Sequence, residues 1–313
     1  MGKLRHLLRR KDRKAAEARP PKQRLRYIAI LPSLITLMNG IAGFIAISYT
    51  SRAVSFERPL NQKFGLTFFA MAGYMVFFAM VADMLDGRVA RLSKSTTSFG
   101  GQLDSLSDAI SFGVAPAFLM LKVMELKVRS LSFSSPFLQG LVLKTIGFCA
   151  VVYVCSTIIR LARFNVENEE DESAHMQFSG LPSPAAAGTI VSLVVFQQDF
   201  LPKFLSRYEN LYTWADGAIY WILPLATISS AVLMVTRVRY PHIVNVYFKG
   251  KKPFSSFIWA SVAIMFAVWN IQLAAMVGFC GYAVWGAIRA WVIYWKQKRV
   301  KEEGEAPTPV IPT

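Results

Sequence analysis

The sequence predicts an all-α, polytopic membrane protein of about eight transmembrane helices, with an active site at the cytosolic edge of the bilayer. Three observations predict this. Hydrophobic residues make up 54% of the 313 and charged residues 17%, where a soluble domain carries about a quarter charged. The mean hydropathy is +0.37, and the apolar residues gather into runs able to cross roughly 30 Å of hydrocarbon at about 1.5 Å per helical residue. The one acidic stretch with regular spacing, residues 83–108, lies where two such runs meet and not inside one.

Taken in order, residues 1–27 form a basic arm. Its first 26 residues hold eleven Lys or Arg with no apolar run behind them, so it is no signal peptide and suits anionic lipid headgroups. No aromatics interleave with the charges, which argues against nucleic acid. Eight membrane segments follow, at roughly 28–50, 64–86, 107–127, 136–160, 182–200, 217–237, 254–270 and 272–295, the last two joined by a tight hairpin around Asn270 and Gln272. Residues 28–200 are the expected catalytic core, 201–297 complete the bundle, and 298–313 are a disordered tail. With the N-terminus inside, the cytosolic segments carry 25 Lys or Arg and the external loops eight. The positive-inside bias therefore puts both termini in the cytosol, with a cell (inner) membrane location. Cys149, Cys155 and Cys280 fall within apolar runs without ligand spacing, and imply neither disulfide nor zinc.

Two segments are unlike plain lipid-facing spans. The first carries Thr36, Asn39, Gly40 and Gly43 at helical spacing, and the third opens SDAISFGVAPAF. Small residues so spaced let helix backbones approach closely. A buried amide such as Asn39 must find partners.

The stretch from Asp83 to Asp108 reads DMLDGRVARLSKSTTSFGGQLDSLSD. At about 100° per residue, Asp83, Asp86, Gly87 and Ala90 share one helix face. On a second helix Gly100, Asp104, Ser107, Asp108 and Ser111 do the same, and the polar SKSTTS turn folds the two together. Four converging carboxylates repel one another unless a cation sits among them. Oxygen ligands select Mg²⁺, Mn²⁺ or Ca²⁺. The interleaved small residues leave room for a bulky anionic group, as a two-metal site acting on phosphate esters or anhydrides needs. Arg91, one turn away, pairs with a phosphate or with an aspartate.

The run Asp83-x2-Asp86-Gly87-x2-Ala90-Arg91-x8-Gly100-x3-Asp104-x3-Asp108 resembles the complete signature of the CDP-alcohol phosphatidyltransferases, with every spacing kept. The resemblance implies that Asp83, Asp86, Asp104 and Asp108 hold divalent metal, Mg²⁺ or Mn²⁺ and two ions. It implies that Gly87, Ala90, Arg91 and Gly100 shape the CDP-lipid pocket, that Asp108 is the general base, and that the protein is a homodimer. Asn39 is the further candidate for touching nucleotide or diphosphate.

Within the family, LPSLITLMNGIAGF, RLARFNV at 160–166 and GLPSPAAAG at 180–188 resemble the integral-membrane phosphatidylserine synthases. That resemblance implies CDP-diacylglycerol and L-serine as substrates. Arg160 and Arg163 end the expected fourth span near the depth of the aspartates. They are candidates to fork onto a serine carboxylate, or else membrane anchors, and Asn165 is a cap or a substrate contact. The acidic run Glu167–Glu172 reads as a solvated loop. Pro182 and Pro184 flank the start of the fifth span and predict a defined loop beneath the site. Another acceptor (glycerol phosphate, inositol phosphate or choline) keeps the same chemistry. A cation-coupled transporter is the reading from a different class, but it would place charges at mid-bilayer in broken, repeated helices.

Overall fold

The computed structural model describes residues 24–55, 60–61, 66–93, 98–131, 133, 135–170, 180–205, 207–236, 265–266 and 268–304. Helix α1 (Arg24–Ser55) is followed by a two-residue antiparallel ladder, in which Leu60 pairs with Thr67 and Asn61 with Leu66. Next come α2 (Phe68–Ser93) and α3 (Ser98–Asp108). The latter runs on through a π-helical segment, Ala109–Val114, into α4 (Ala115–Ser130). Helix α5 (Pro136–Glu170) leads to α6 (Ser183–Val195), which continues through π-helical Phe196–Phe200 into the short α7 (Leu201–Phe204). Helices α8 (Glu209–Val235) and α9 (Ile271–Gly304) complete the described chain.

Seven stretches among the described residues are long and apolar enough to cross a membrane, the first Ser33–Ala53 and the last Ile271–Arg289. The chain is a multi-pass membrane protein. The expected seventh span, 254–270, lies outside the described residues except for 265–266 and 268–270. Asn270 alone separates that stretch from α9: its N–H bonds Phe266 O at 3.0 Å and its carbonyl accepts from Ala274 N at 2.9 Å.

Several expected boundaries move: the sixth span begins at Glu209 and not at 217, and the last helix runs to Gly304, so residues 298–304 of the expected disordered tail are helical. The second span begins at Phe68 and not at 64, because Leu66 and Thr67 belong to the ladder. The fourth does not end near residue 160. Helix α5 runs to Glu170, so Arg160, Arg163 and Asn165 lie inside it, and Asn165 caps nothing. The backbone of Glu167–Glu170 is likewise helical, where a loop was expected. No proline or glycine interrupts residues 160–170, so nothing local stops the helix at the membrane face.

Helix α6 is the centre of the bundle and packs against α2, α4, α8 and α9. Nearly every residue from Ala186 to Val195 is buried. Glycine makes this possible at one crossing: a Cβ on Gly188 would stand 2.3 Å from the Phe279 ring of α9. The outward faces are apolar, with Leu37, Ile41 and Phe44 on α1 and Phe148, Val151 and Ile159 on α5 exposed. Such surfaces suit a bilayer, where lipid tails are as apolar as leucine and burying it gains little.

The polar groups are therefore inside. Toward the end of the bundle away from the aspartates, Asp199 accepts from Tyr74 Oη at 2.6 Å and from Gln272 Nε2 at 2.8 Å, and pairs with Lys203 at 2.5 Å. Beside it Gln197 donates to Asp216 at 2.8 Å, and Asp216 pairs with Lys127 at 3.1 Å. These contacts tie α2, α4, α8 and α9 to the segment that extends α6.

Candidate active site

Helix α1 lies against α3 and the π-helical segment because two glycines remove side chains at the crossing. A Cβ on Gly40 would meet Ser107 Oγ at 3.2 Å, and one on Gly43 would stand 2.7 Å from Ser111 Cα. The second distance is too short for any side chain. Close packing then lets polar groups pair across the crossing. Asn39 Nδ2 donates to Asp108 Oδ1 at 2.8 Å, and Ser111 Oγ donates to the Asn39 carbonyl at 2.8 Å. Asn39 is 0% exposed and Asp108 8%, so each is the other's replacement for water.

The π-helical turn begins directly after Asp108. Single π turns inside α-helices are frequent at functional sites, because they free backbone carbonyls and re-aim neighbouring side chains. Tyr153 Oη on α5 donates to the Phe112 carbonyl within this turn, at 2.9 Å. The turn is thus held from the α5 side and Asp108 from the α1 side.

Helices α2 and α3 bring three carboxylates together. Asp83, Asp104 and Asp108 each offer an oxygen within 4.8 Å of the others. Asp86, one turn on from Asp83, stands outside that triple but acts on the same charges and is only 5% exposed. Thr36 of α1 hydrogen-bonds it. Oδ2 of Asp86 and Oδ1 of Asp104 are buried without a hydrogen-bond partner. Buried acidic oxygens that lack partners, grouped this closely, fit a hard divalent cation. Among the described residues a Cβ on Gly87 would meet nothing within 4 Å, so no neighbouring side chain fills the face beside Asp83 and Asp86. Gly100 is half-buried on α3. Ala90 and Arg91 have helical backbone, but their side chains lie outside the described residues.

From α5, the positive charge of Arg160 acts on Asp83 and Asp108. Its Nη1 donates to Ser183 Oγ at the start of α6, while its Nε is buried without a partner. Arg163 is half-buried one turn further on. Asn165 sits against α3, where Ser105 Oγ lies 3.0 Å from Asn165 Oδ1 and 3.1 Å from the Gly101 carbonyl. The segment before α6 is not helical: Gly180 has φ +94° and Pro182 is extended at φ −57°, ψ 140°. The defined loop expected from Pro182 and Pro184 is present, and it leads into Ser183.

Sequence reading missed Thr36 and Ser183 as site residues. Thr36 has the same helical spacing as Asn39, which was a usable signal. Ser183 is recognisable only through its contact with Arg160. Asn39, expected against nucleotide or diphosphate, has its amide nitrogen committed to Asp108, and its Oδ1 is buried without a partner.

Comparison with known proteins agrees with this geometry. The family model for CDP-alcohol phosphatidyltransferases matches residues 29–222. A CDP-diacylglycerol–serine O-phosphatidyltransferase of Helicobacter pylori strain 26695 is 30% identical over 262 residues, covering 83% of this chain and 90% of the relative. One of Methanocaldococcus jannaschii is 26% identical over 266 residues, covering 85% and 96%. An archaetidylserine synthase of Methanothermobacter thermautotrophicus is 30% identical over 215 residues, covering 68% and 70%. With its signature aspartates gathered and the family match spanning α1 to α8, the chain belongs to the CDP-alcohol phosphatidyltransferase family.

Proposed function

We propose that the chain transfers the phosphatidyl group from CDP-diacylglycerol to the hydroxyl of L-serine, giving phosphatidylserine and CMP. The observation that carries this reading is the convergence of Asp83, Asp104 and Asp108 within 4.8 Å, beside open space at Gly87. The relatives support the acceptor. Those named for CDP-diacylglycerol and the one named for archaetidylserine differ in the lipid, and serine is common to both names.

Asp83, Asp86, Asp104 and Asp108 would hold two Mg²⁺ or Mn²⁺ ions, in keeping with a family that depends on divalent metal. When bound, they supply positive charge against the diphosphate and the departing CMP. The chain's own residues do the rest. A serine hydroxyl has a pKa far above 7 and needs a carboxylate within hydrogen-bond reach. Asn39 holds Oδ1 of Asp108, which leaves Oδ2 to take the proton. The serine oxygen forms a bond to the lipid-side phosphorus, the anhydride bond to CMP breaks, and the proton passes to Asp108. Gly87, Ala90, Arg91 and Gly100 line the CDP-lipid pocket in this reading, and Asn39 borders it through Oδ1. Arg160, Arg163 and Asn165 stand on the acceptor side.

Orientation belongs to the same proposal: an inner-membrane protein with the aspartates and both termini in the cytosol, supported by the excess of Lys and Arg in those loops. So does the homodimer, supported by the resemblance alone. The test gives detergent-solubilised protein CDP-diacylglycerol and Mn²⁺, then measures CMP release with serine, glycerol phosphate, inositol phosphate or choline. Release with serine only is the expected result, and release with another acceptor in preference to serine overturns it. A transporter reading would require no CMP release with any of them.

A further inference from the structure

The turn that opens α6 is fixed to the end of α8. A Cβ on Gly180 would stand 2.4 Å from the Met234 carbonyl and 3.1 Å from that of Thr236, and its φ is +94°. Only glycine fits both the space and the backbone there. Next along, Leu181 N donates to the Leu233 carbonyl at 3.0 Å. Pro182 is extended, and Pro184 falls in the first turn of α6. Between the two prolines Ser183 is 0% exposed, so it has neither solvent nor backbone freedom.

Its hydroxyl accepts from Nη1 of Arg160. Arginine side chains have many rotamers and are seldom fixed without help. Here one nitrogen is held by a rigid turn while Nε is buried with no partner. A buried N–H left unsatisfied is unfavourable, and an incoming acceptor atom removes that cost. The charge of the same guanidinium acts on Asp83 and Asp108.

We propose that Ser183 is a positioning residue for acceptor recognition, holding Arg160 so that the Nε edge of its guanidinium meets the carboxylate of the bound serine. This rests on the serine acceptor proposed above. A carboxylate is the fitting occupant because its two oxygens match two adjacent guanidinium N–H groups.

The test uses the full-length protein in mixed micelles with saturating metal, following CMP release against L-serine and against L-serinamide, which lacks the carboxylate. For Ser183→Ala the KM for serine should rise about tenfold, the loss of one charge-assisted hydrogen bond. The kcat and the KM for CDP-diacylglycerol should change less than twofold. The preference for serine over serinamide should shrink by the same factor, and Ser183→Thr should restore it. If the alanine variant does not fold, Ser183→Cys keeps the volume and weakens the bond, with the same expectation. Equal effects on both substrates, a loss in kcat alone, or no change overturns the proposal. Arg160→Gln is measured alongside. If it leaves the serine KM unchanged, Arg160 is not the carboxylate contact and the proposal falls with that reading. If it raises the serine KM while the Ser183 variants do not, only the role of Ser183 is lost.

Discussion

At Asp108 one carboxylate oxygen takes the Asn39 amide at 2.8 Å, and in the proposed reaction the other receives the proton of the attacking hydroxyl. Asp108→Asn keeps the shape and removes the ability to accept a proton. Turnover should fall by about 10²–10⁴-fold, the usual contribution of a general base, while binding of CDP-diacylglycerol, followed by equilibrium dialysis, stays near wild type. Near-normal turnover in this variant would remove Asp108 from the base role. Asp83→Ala and Asp86→Ala act differently, because they delete a candidate ligand and not a proton acceptor. Both should lose activity that raising Mn²⁺ a hundredfold does not restore. Of these residues, the four aspartates and Asn39 were legible in the sequence because their spacing repeats with the helix. The pairing of Asn39 with Asp108 was not, since the two stand 69 residues apart and only the helix crossing brings them together.

Glycines serve two purposes in these helices, and Gly43 and Gly87 make opposite predictions. Gly43 abuts the backbone of Ser111, whereas Gly87 faces nothing within 4 Å. Gly43→Ala must push α1 off the π-helical segment, an overpacking cost of typically 1–3 kcal/mol, and so should lower the melting temperature and the activity together. Gly87→Ala should fold with an unchanged melting temperature and raise the KM for CDP-diacylglycerol, because the added methyl group enters the free space beside the aspartates. A normal melting temperature for Gly43→Ala would contradict the close crossing. Small residues at helical spacing were visible in both segments. Which of them packs against a helix and which lines a pocket depends on what lies opposite, and a single sequence does not carry that.

Among the described residues, the buried aspartates gather in two separate places. One is the aspartate cluster, and the other is the set around Asp199, which binds Tyr74, Gln272 and Lys203. In hydrocarbon each such bond contributes around 0.6 kcal/mol and at most about 1.7, so the three together tie α2, α7 and α9 to Asp199 by a modest but additive amount. Asp199→Leu should lower the melting temperature by several degrees and leave the KM for serine and the metal dependence unchanged. A selective change in serine KM would mean that this second cluster communicates with the first. Orientation is tested at the same scale. In a cysteine-free background, a cysteine at Gly101 should react with an impermeant maleimide only in inside-out vesicles, and one at Asn210 only in right-side-out vesicles.

The sequence by itself determined the membrane class, the helical architecture and the family chemistry. Hydropathy, positive charge and fixed spacing are all local, and each can be read along the chain. Tertiary structure decided what depends on distance between helices. It continued α5 past Arg160, joined α3 to α4 through a π turn, and set Asp83, Asp104 and Asp108 within 4.8 Å while leaving Asp86 outside that triple. It also bound Arg160 to Ser183 through a glycine turn seated on α8. The physical reason is the same in each case: inside a bilayer the apolar faces are nearly interchangeable, so close backbone approach and paired polar groups choose the arrangement, and both are properties of two helices at once.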